Sequence, residues 1–284
     1  MKDDQINDLR KLIAAYPDDA KIFRTSQPKS DGTSRPIAKQ NESLNKWLKQ
    51  VKRTLRLARK DWPTFIHGGV KNRSYVSFVR PHTNKKTVVT IDIKDCFGSI
   101  TQSQVEQSLQ RKLNVPEDLA TDLSSKLCLN GKIPQGFSTS NFLTNLYLND
   151  VLLGINRKLV PLNITMTIYV DDIAISGNNL DASHVINLVC KDLSRAKLAV
   201  KKAKIKVMNS HSRQVIVGLV VNKGVALTKE KSKELFSKVA HKSISQESLN
   251  GWLANLNMID KRRMIKLANF ASRKGYKTAR NKLL

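Results

Sequence analysis

Cysteine is scarce: only Cys96, Cys128 and Cys190 occur in 284 residues, far apart and odd in number. That excludes a disulfide framework and fits no zinc-ligand spacing. Small buried hydrophobes in a reducing cytosol are the expectation, so the chain is read as cytoplasmic. Long apolar runs are missing too. None approaches the roughly 20 residues a membrane-spanning helix needs, so no membrane partner is expected. The start, Met1-Lys2-Asp3-Asp4-Gln5, lacks the apolar segment of a signal peptide. Acidic residues are few, 23 against 50 Lys and Arg, for a net charge of +27. The excess runs from end to end and so is not a tail. A field of that sign draws polyanions, which makes nucleic acid the natural partner, bound in a salt-sensitive way. A ribosomal-type or heparin-binding protein is the plain alternative, but it gives no reason for the aspartates described next. The length allows a sizeable core and two or three subdomains.

The few acids are not scattered evenly. Tyr169-Val170-Asp171-Asp172 stands between two alternating β-branched runs, 164–168 and 173–175. Each run reads as a strand, which puts two carboxylates at the tip of a tight hairpin. Adjacent like charges repel unless a cation neutralises them, and Mg²⁺ is a hard ion suited to carboxylates and phosphates. An ordinary Asp-Asp turn is the bland reading. A third carboxylate, Asp92, ends another buried strand pattern, 87–93. Polymerase chemistry uses two metal ions about 4 Å apart, and three such aspartates can hold them. Between these elements, Ile133-Pro134-Gln135-Gly136 makes a turn into an apolar-periodic helix, Asn141 to Leu153.

The order Asp92…Phe97, Pro134-Gln135-Gly136…Ser140, Tyr169-Val170-Asp171-Asp172 resembles the palm motifs of reverse transcriptases. The match runs from about Arg35 onward, and its details are similar to bacterial retron enzymes. His67-Gly68…Arg73-Ser74 looks like a loop of the bacterial branch. Two departures stand out: Phe78-Val79-Arg80-Pro81-His82 keeps only the His of the retron Asn-Ala-x-x-His signature, and Ile216-Val217-Gly218 replaces Val-Thr-Gly.

The resemblance implies a right-hand α+β polymerase fold with an antiparallel palm sheet, helical fingers and an all-α thumb. Its expected divisions are 1–90 for fingers and an N-terminal extension, 91–222 for the palm with a fingers insertion at about 101–135, and 223–284 for the thumb. It implies that Asp92, Asp171 and Asp172, with the Ile93 carbonyl, bind two Mg²⁺ ions. Arg35 would grip the incoming triphosphate, with Lys39 a weaker candidate. Lys204 would lie near the triphosphate, with Lys201 and Lys202 competing for that role. Gln135 and Gly136 would floor the nucleotide site. Phe97 would block a ribose 2′-hydroxyl and select dNTPs, which disfavours an RNA polymerase; a core position is its alternative. Tyr169, Gly218 and Leu219 would meet the primer end. Arg262, Arg263 and Lys266 would grip duplex phosphates, and the loop Phe78 to His82 would help choose an RNA.

The expected helices are 42–60 after an Asn41 cap, with Leu44, Trp47, Leu48, Val51, Leu55 and Leu57 as its apolar side, then 101–113, 117–129, 181–197 capped by Asp181, 229–241, 245–257 and 260–274, with a bent strand over 215–222. The implied function is RNA-templated DNA synthesis on a cognate structured non-coding RNA, in anti-phage defence. The implied partners are that RNA template and primer, the RNA–DNA hybrid, dNTPs and an effector protein. Any ribonuclease H or endonuclease would come from another protein. Other bacterial defence-associated or group II intron-like reverse transcriptases, or a catalytically silent RNA-binding relative, remain as alternatives.

Overall fold

The structure is a computed structural model that describes residues 1–28 and 32–278. The last stretch of the expected thumb, 279–284, lies outside the described residues. Helix α1 (Asp3–Ala14) opens with two aspartates in its first turn, where the helix dipole favours them. Strands β1 (Ile22–Pro28) and β2 (Ser34–Gln40) pair antiparallel, Ile22 opposite Gln40. The Asn41 side chain accepts the Leu44 N–H and starts α2 (Glu42–Ala58). Leu44, Trp47, Leu48, Val51 and Leu55 are the buried stripe of that helix. Leu57, expected on the same side, is 49% exposed. It falls outside the i, i+3/i+4 rhythm the other five keep.

A short helix, α3 (Tyr75–Val79), precedes β3 (Thr87–Asp92). After β3 come α4 (Cys96–Ser99), α5 (Gln102–Leu113), α6 (Glu117–Leu127) and the long α7 (Ser140–Leu159). Helix α7 runs a turn and a half past its expected end at Leu153, because buried Ile155 and Leu159 continue the apolar face. Strands β4 (Thr165–Tyr169) and β5 (Asp172–Gly177), then α8 (Ala182–Arg195) and β6 (Lys206–Asn209), complete a central layer. Its sheet has the order β4-β5-β3-β6, antiparallel throughout. The expected strand over 215–222 divides into β7 (Val215–Ile216) and β8 (Leu219–Val220), because Val217 and Gly218 both take positive φ and turn the chain. Strand β9 (Ala226–Leu227) joins that small sheet. Three capped helices follow, α9 (Lys229–Ala240), α10 (Gln246–Ile259) and α11 (Lys261–Arg273).

Two apolar cores result. The larger joins α1, α2 and α5–α8 to the central sheet. The second joins α9–α11 to β7–β9, and it takes in Val76, Phe78 and Val79 of α3 together with Val88 and Ala174 of the sheet. Among the described residues no helix is long and apolar enough to cross a membrane.

Candidate active site

The pairing of β3 with β5 places Asp92 directly opposite Asp172. Tyr169 and Asp172 close the β4–β5 hairpin, so Val170 and Asp171 form its two-residue tip. The Ile93 N–H donates to the Asp171 carbonyl at 3.0 Å, which ties the end of β3 to that tip. Three carboxylates of distant sequence thus reach one edge of the sheet. Burial raises the pKa of Asp171, and the charge of Asp92 adds to the effect. Burial, then the charges of Asp171 and Asp92, push Asp172 up to about 6. Each group is costly to ionise without a cation nearby.

Lysines supply part of that charge. Lys201 Nζ stands 2.6 Å from Asp92 Oδ1, and Lys204 Nζ 3.6 Å from Oδ2. Oδ1 is nonetheless buried with no hydrogen-bond partner, so the Lys201 contact is a charge contact and leaves a lone-pair direction unused. Among the described residues no three Asp, Glu, His or Cys side chains converge as a ready-made metal cage. The donor set still suits a hard divalent cation: it is all oxygen, partly buried and electrostatically unfinished.

The hairpin tip is strained and clamped. Val170 has φ +61°, a conformation β-branched residues rarely adopt. Beneath it, a Cβ on Gly68 would run into the Val170 backbone nitrogen and side chain. The loop carrying Gly68 is stitched to β4: Ile168 N–H donates to Phe65 O and His67 N–H to Ile168 O, both at 2.8 Å. Asn145 of α7 donates to the Gly68 carbonyl at 2.6 Å. Arg73 gathers the carbonyls of Trp62, Pro63 and Ile66. The His67-Gly68…Arg73 pattern therefore serves as a bracket behind the aspartates. Asn145 was not singled out from the sequence; a polar residue on the apolar stripe of a long helix was the available signal.

On one side of the carboxylates lies a cavity of about 390 Å³, lined by Arg35, Phe97, Gln135, Asp171, Lys201 and Lys204 among others. Residues from β2, α4, the 133–139 turn and the 200–205 segment meet there. Gly136 has φ +122°, and a side chain on it would strike the Ala38 carbonyl. With Ala38 N–H donating to Gln135 O at 2.8 Å, this turn docks on β2. Gly136 does not itself line the cavity.

A family model described as reverse transcriptase (RNA-dependent DNA polymerase) matches residues 27–245. The chain belongs to the reverse transcriptase family. Among its relatives are three retron enzymes. Retron Se72 reverse transcriptase of Salmonella heidelberg is 29% identical over 60% of this chain and 47% of its own. Retron Ec73 reverse transcriptase of Escherichia coli is 30% identical over 67% and 68%. Retron Ec86 reverse transcriptase of Escherichia coli is 24% identical over 77% and 70%. The chain spans about half the length of some retron relatives that it matches, among them the Se72 enzyme and Retron Ec48 reverse transcriptase of Escherichia coli. It is of the bacterial retron type. Solved structures of similar fold include telomerase from Candida albicans in complex with a telomeric RNA fragment (TM-score 0.52, 12% identity, 94% of this chain and 62% of that one). Apo telomerase from Candida tropicalis scores 0.55 at 13% identity, over 97% of this chain and 64% of that one. These show the right-hand polymerase fold: palm sheet, fingers and helical thumb. Reverse transcriptases are generally metal-dependent.

Within this chain the remaining expected site residues fall into two groups. Gly218 lines a second cavity of about 380 Å³ with Phe78, Asp92, Asp172 and Lys204. Tyr169 leans on Phe78, ring centroids 5.9 Å apart. The Leu219 side chain is buried in the thumb-side core. Lys202 is not among the lining residues of either cavity. Arg262 and Lys266 are exposed on α11, whereas Arg263 is half-buried and reaches back toward Asp260, 4.0 Å away.

The 78–82 segment corrects an expectation. Phe78, Val79 and His82 are fully buried, so only Arg80 and Pro81 of that loop meet solvent. His82 bridges Ser176 Oγ and Thr167 Oγ1, each at 2.7 Å, and pins the loop to β4 and β5. The retained His is thus a core fastener, since a buried imidazole needs both nitrogens satisfied.

Proposed function

We propose that this chain copies RNA into DNA, and that it does so on a structured non-coding RNA of a retron. One observation carries the reading: strand register sets Asp92 against Asp172, with Asp171 at the same edge, beside a cavity lined by Phe97 and the cations Arg35, Lys94, Lys201 and Lys204. Asp92, Asp171 and Asp172, with the Ile93 carbonyl, would hold two Mg²⁺ ions, whose chemistry is to activate a primer hydroxyl and stabilise the departing pyrophosphate.

The rest is work for the protein's own groups. Arg35 holds the triphosphate by paired N–H donors. Lys201 and Lys204 keep positive charge between Asp92 and the phosphates, and either can pass a proton to the leaving pyrophosphate. Phe97 fills the space a ribose 2′-hydroxyl would occupy, and Gln135 supports the base pair. Tyr169 and Gly218 border the primer end. Arg262 and Lys266 grip duplex phosphates, with Arg263 secondary. The working divisions are fingers with the N-terminal extension to about residue 90, palm to about 222, and thumb beyond. Retron membership supports an anti-phage role with a partner effector protein.

Asp171→Asn with Asp172→Asn tests the centre. The double variant should incorporate no dNTP yet bind RNA as the wild type does, because the basic surface is untouched. Primer extension by that variant would refute the assignment. Sequencing the nucleic acid that co-purifies with the wild type tests the cognate RNA.

A further inference from the structure

One stretch of the chain has a charge balance that the active site does not use. Between Ser43 and Ile91 there are twelve Lys and Arg and a single acid, Asp61. The outer face of α2 and the loop after it enclose a groove of about 580 Å³. Lys49, Lys52, Arg53, Arg56, Lys60 and Lys71 line it. Among the described residues none of these six makes an ion pair of 4.0 Å or less. Burial and the neighbouring Arg56 lower the pKa of Lys52, as expected where like charges crowd without a counter-ion. The groove also has an aromatic wall. The Arg59 guanidinium lies over the Trp62 ring, 4.7 Å from its centroid, and Trp62 packs edge-on against Phe142 of α7. The Arg59 Nε is buried without a partner. Arg73, bonded to three carbonyls, stiffens the loop at the groove's edge.

We infer that this groove binds a single-stranded RNA segment, separate from the primer–template duplex held at the palm. It shares no lining residue with the two cavities beside the aspartates. Unpaired cations repel one another and gain most from a run of phosphates. An arginine–indole stack gives bases a planar platform, which a duplex, with its bases already stacked, does not use. The charge alone would also suit an acidic protein segment; the stacked wall favours RNA. The loop that forms this groove continues through Phe65–Gly68 into the bracket behind Asp171 and Asp172, so an occupied groove lies against the support of the catalytic hairpin. The inference rests on the polymerase reading only for the choice of RNA as ligand.

The test uses the full chain and two primer–template duplexes with the same short template overhang past the primer 3′ end; the far end is blunt in one and carries a single-stranded RNA tail of about twelve nucleotides in the other, within the span one such surface covers. The variant is Lys49→Ala/Lys52→Ala/Arg53→Ala/Arg56→Ala. Wild type should bind the tailed duplex more tightly than the blunt one, with a steeper salt dependence. The variant should lose that advantage, its salt slope on the tailed duplex falling by about 3, four contacts at about 0.7 each. Extension of the blunt duplex should stay at the wild-type rate. Should the quadruple variant fail to fold, Lys49→Gln with Arg53→Gln is measured the same way and should lose half that slope. Retention of the tail advantage by a folded variant overturns the inference, as does tighter binding of a polyglutamate peptide than of the RNA tail. A wild type that extends neither duplex but prefers the tailed one through these lysines sinks the polymerase reading and keeps the groove.

Discussion

In the palm, Asp92 and Asp172 face each other across a strand pair, and the hairpin behind them is fixed by Gly68, Asn145 and the Phe65–Ile168 ladder. On the thumb, Arg262 and Lys266 stand on the exposed face of α11, over a buried stripe of Met264, Leu267 and Ala271. The difference follows from the task each proposed role sets. Chemistry at a primer end fails when a carboxylate moves by an ångström, so the palm spends buried hydrogen bonds and strained backbone on position. Phosphates recur along a duplex and are gripped by charge density, so the thumb needs cations on a helix and tolerates their motion.

Gly68→Ala should break the palm side hardest. Its new methyl meets Val170 and shifts the hairpin tip, so turnover should fall about 10²-fold while RNA affinity holds. Single-turnover incorporation with a parallel binding titration measures both. Full activity would mean that the bracket does not set the position of the aspartates.

His82→Ala comes next. It removes the bridge between Ser176 and Thr167 and should cost about 2–4 kcal/mol, from unpaired buried hydroxyls and a small void. Burial, then the charges of His67 and Lys85, hold the His82 pKa down from its ordinary 6.5 to about 3. A folded value below the unfolded one means stability that is whole above pH 6.5 and is lost as pH falls toward 3. Thermal melts of wild type should therefore drop between pH 7.5 and 5, about neutral and mildly acid conditions, and His82→Ala should drop less. Equal acid losses would assign the acid limb elsewhere; His67, whose pKa burial and Arg73 push down to about 4, is the next group to test.

Phe97→Val is a smaller change to the same cavity. Room for a 2′-hydroxyl should raise incorporation of NTP relative to dNTP by about tenfold or more, read from kcat/KM for each. Unaltered selectivity in an active variant would return Phe97 to a packing role.

Arg262→Ala sharpens the comparison from the thumb side with the smallest effect. Stability should change by less than about 0.5 kcal/mol, and the salt slope of duplex binding should fall by roughly one unit. Arg263→Ala should flatten the slope less, since its guanidinium already leans on Asp260.

Much of this was legible in the amino-acid order. The alternating β-branched runs around Tyr169–Asp172, the strand ending at Asp92, and the caps at Asn41 and Asp181 all form as local rules require. Motif order identified the right-hand fold, because those motifs carry residues whose chemistry restricts them. Local pattern failed where packing partners are remote. Leu57 reads as apolar and core-bound, yet the helix turns it outward. Leu219, and Phe78, Val79 and His82 of the 78–82 loop, read as surface-facing, yet their side chains are buried.

The sequence by itself determined the principal helices and strands, the Asp-Asp hairpin with the strand-end Asp92, and the basic field, since these depend on periodicity, turn chemistry and charge within a few residues. Only the tertiary structure decided that Lys201 as well as Lys204 reaches Asp92, that Gly68 and Asn145 brace the hairpin, and that the α2 cations line one groove. Those facts are distances between segments far apart along the chain. A chain's own neighbours do not encode such distances one residue at a time; the packing of the sheet against α7 and α2 sets them.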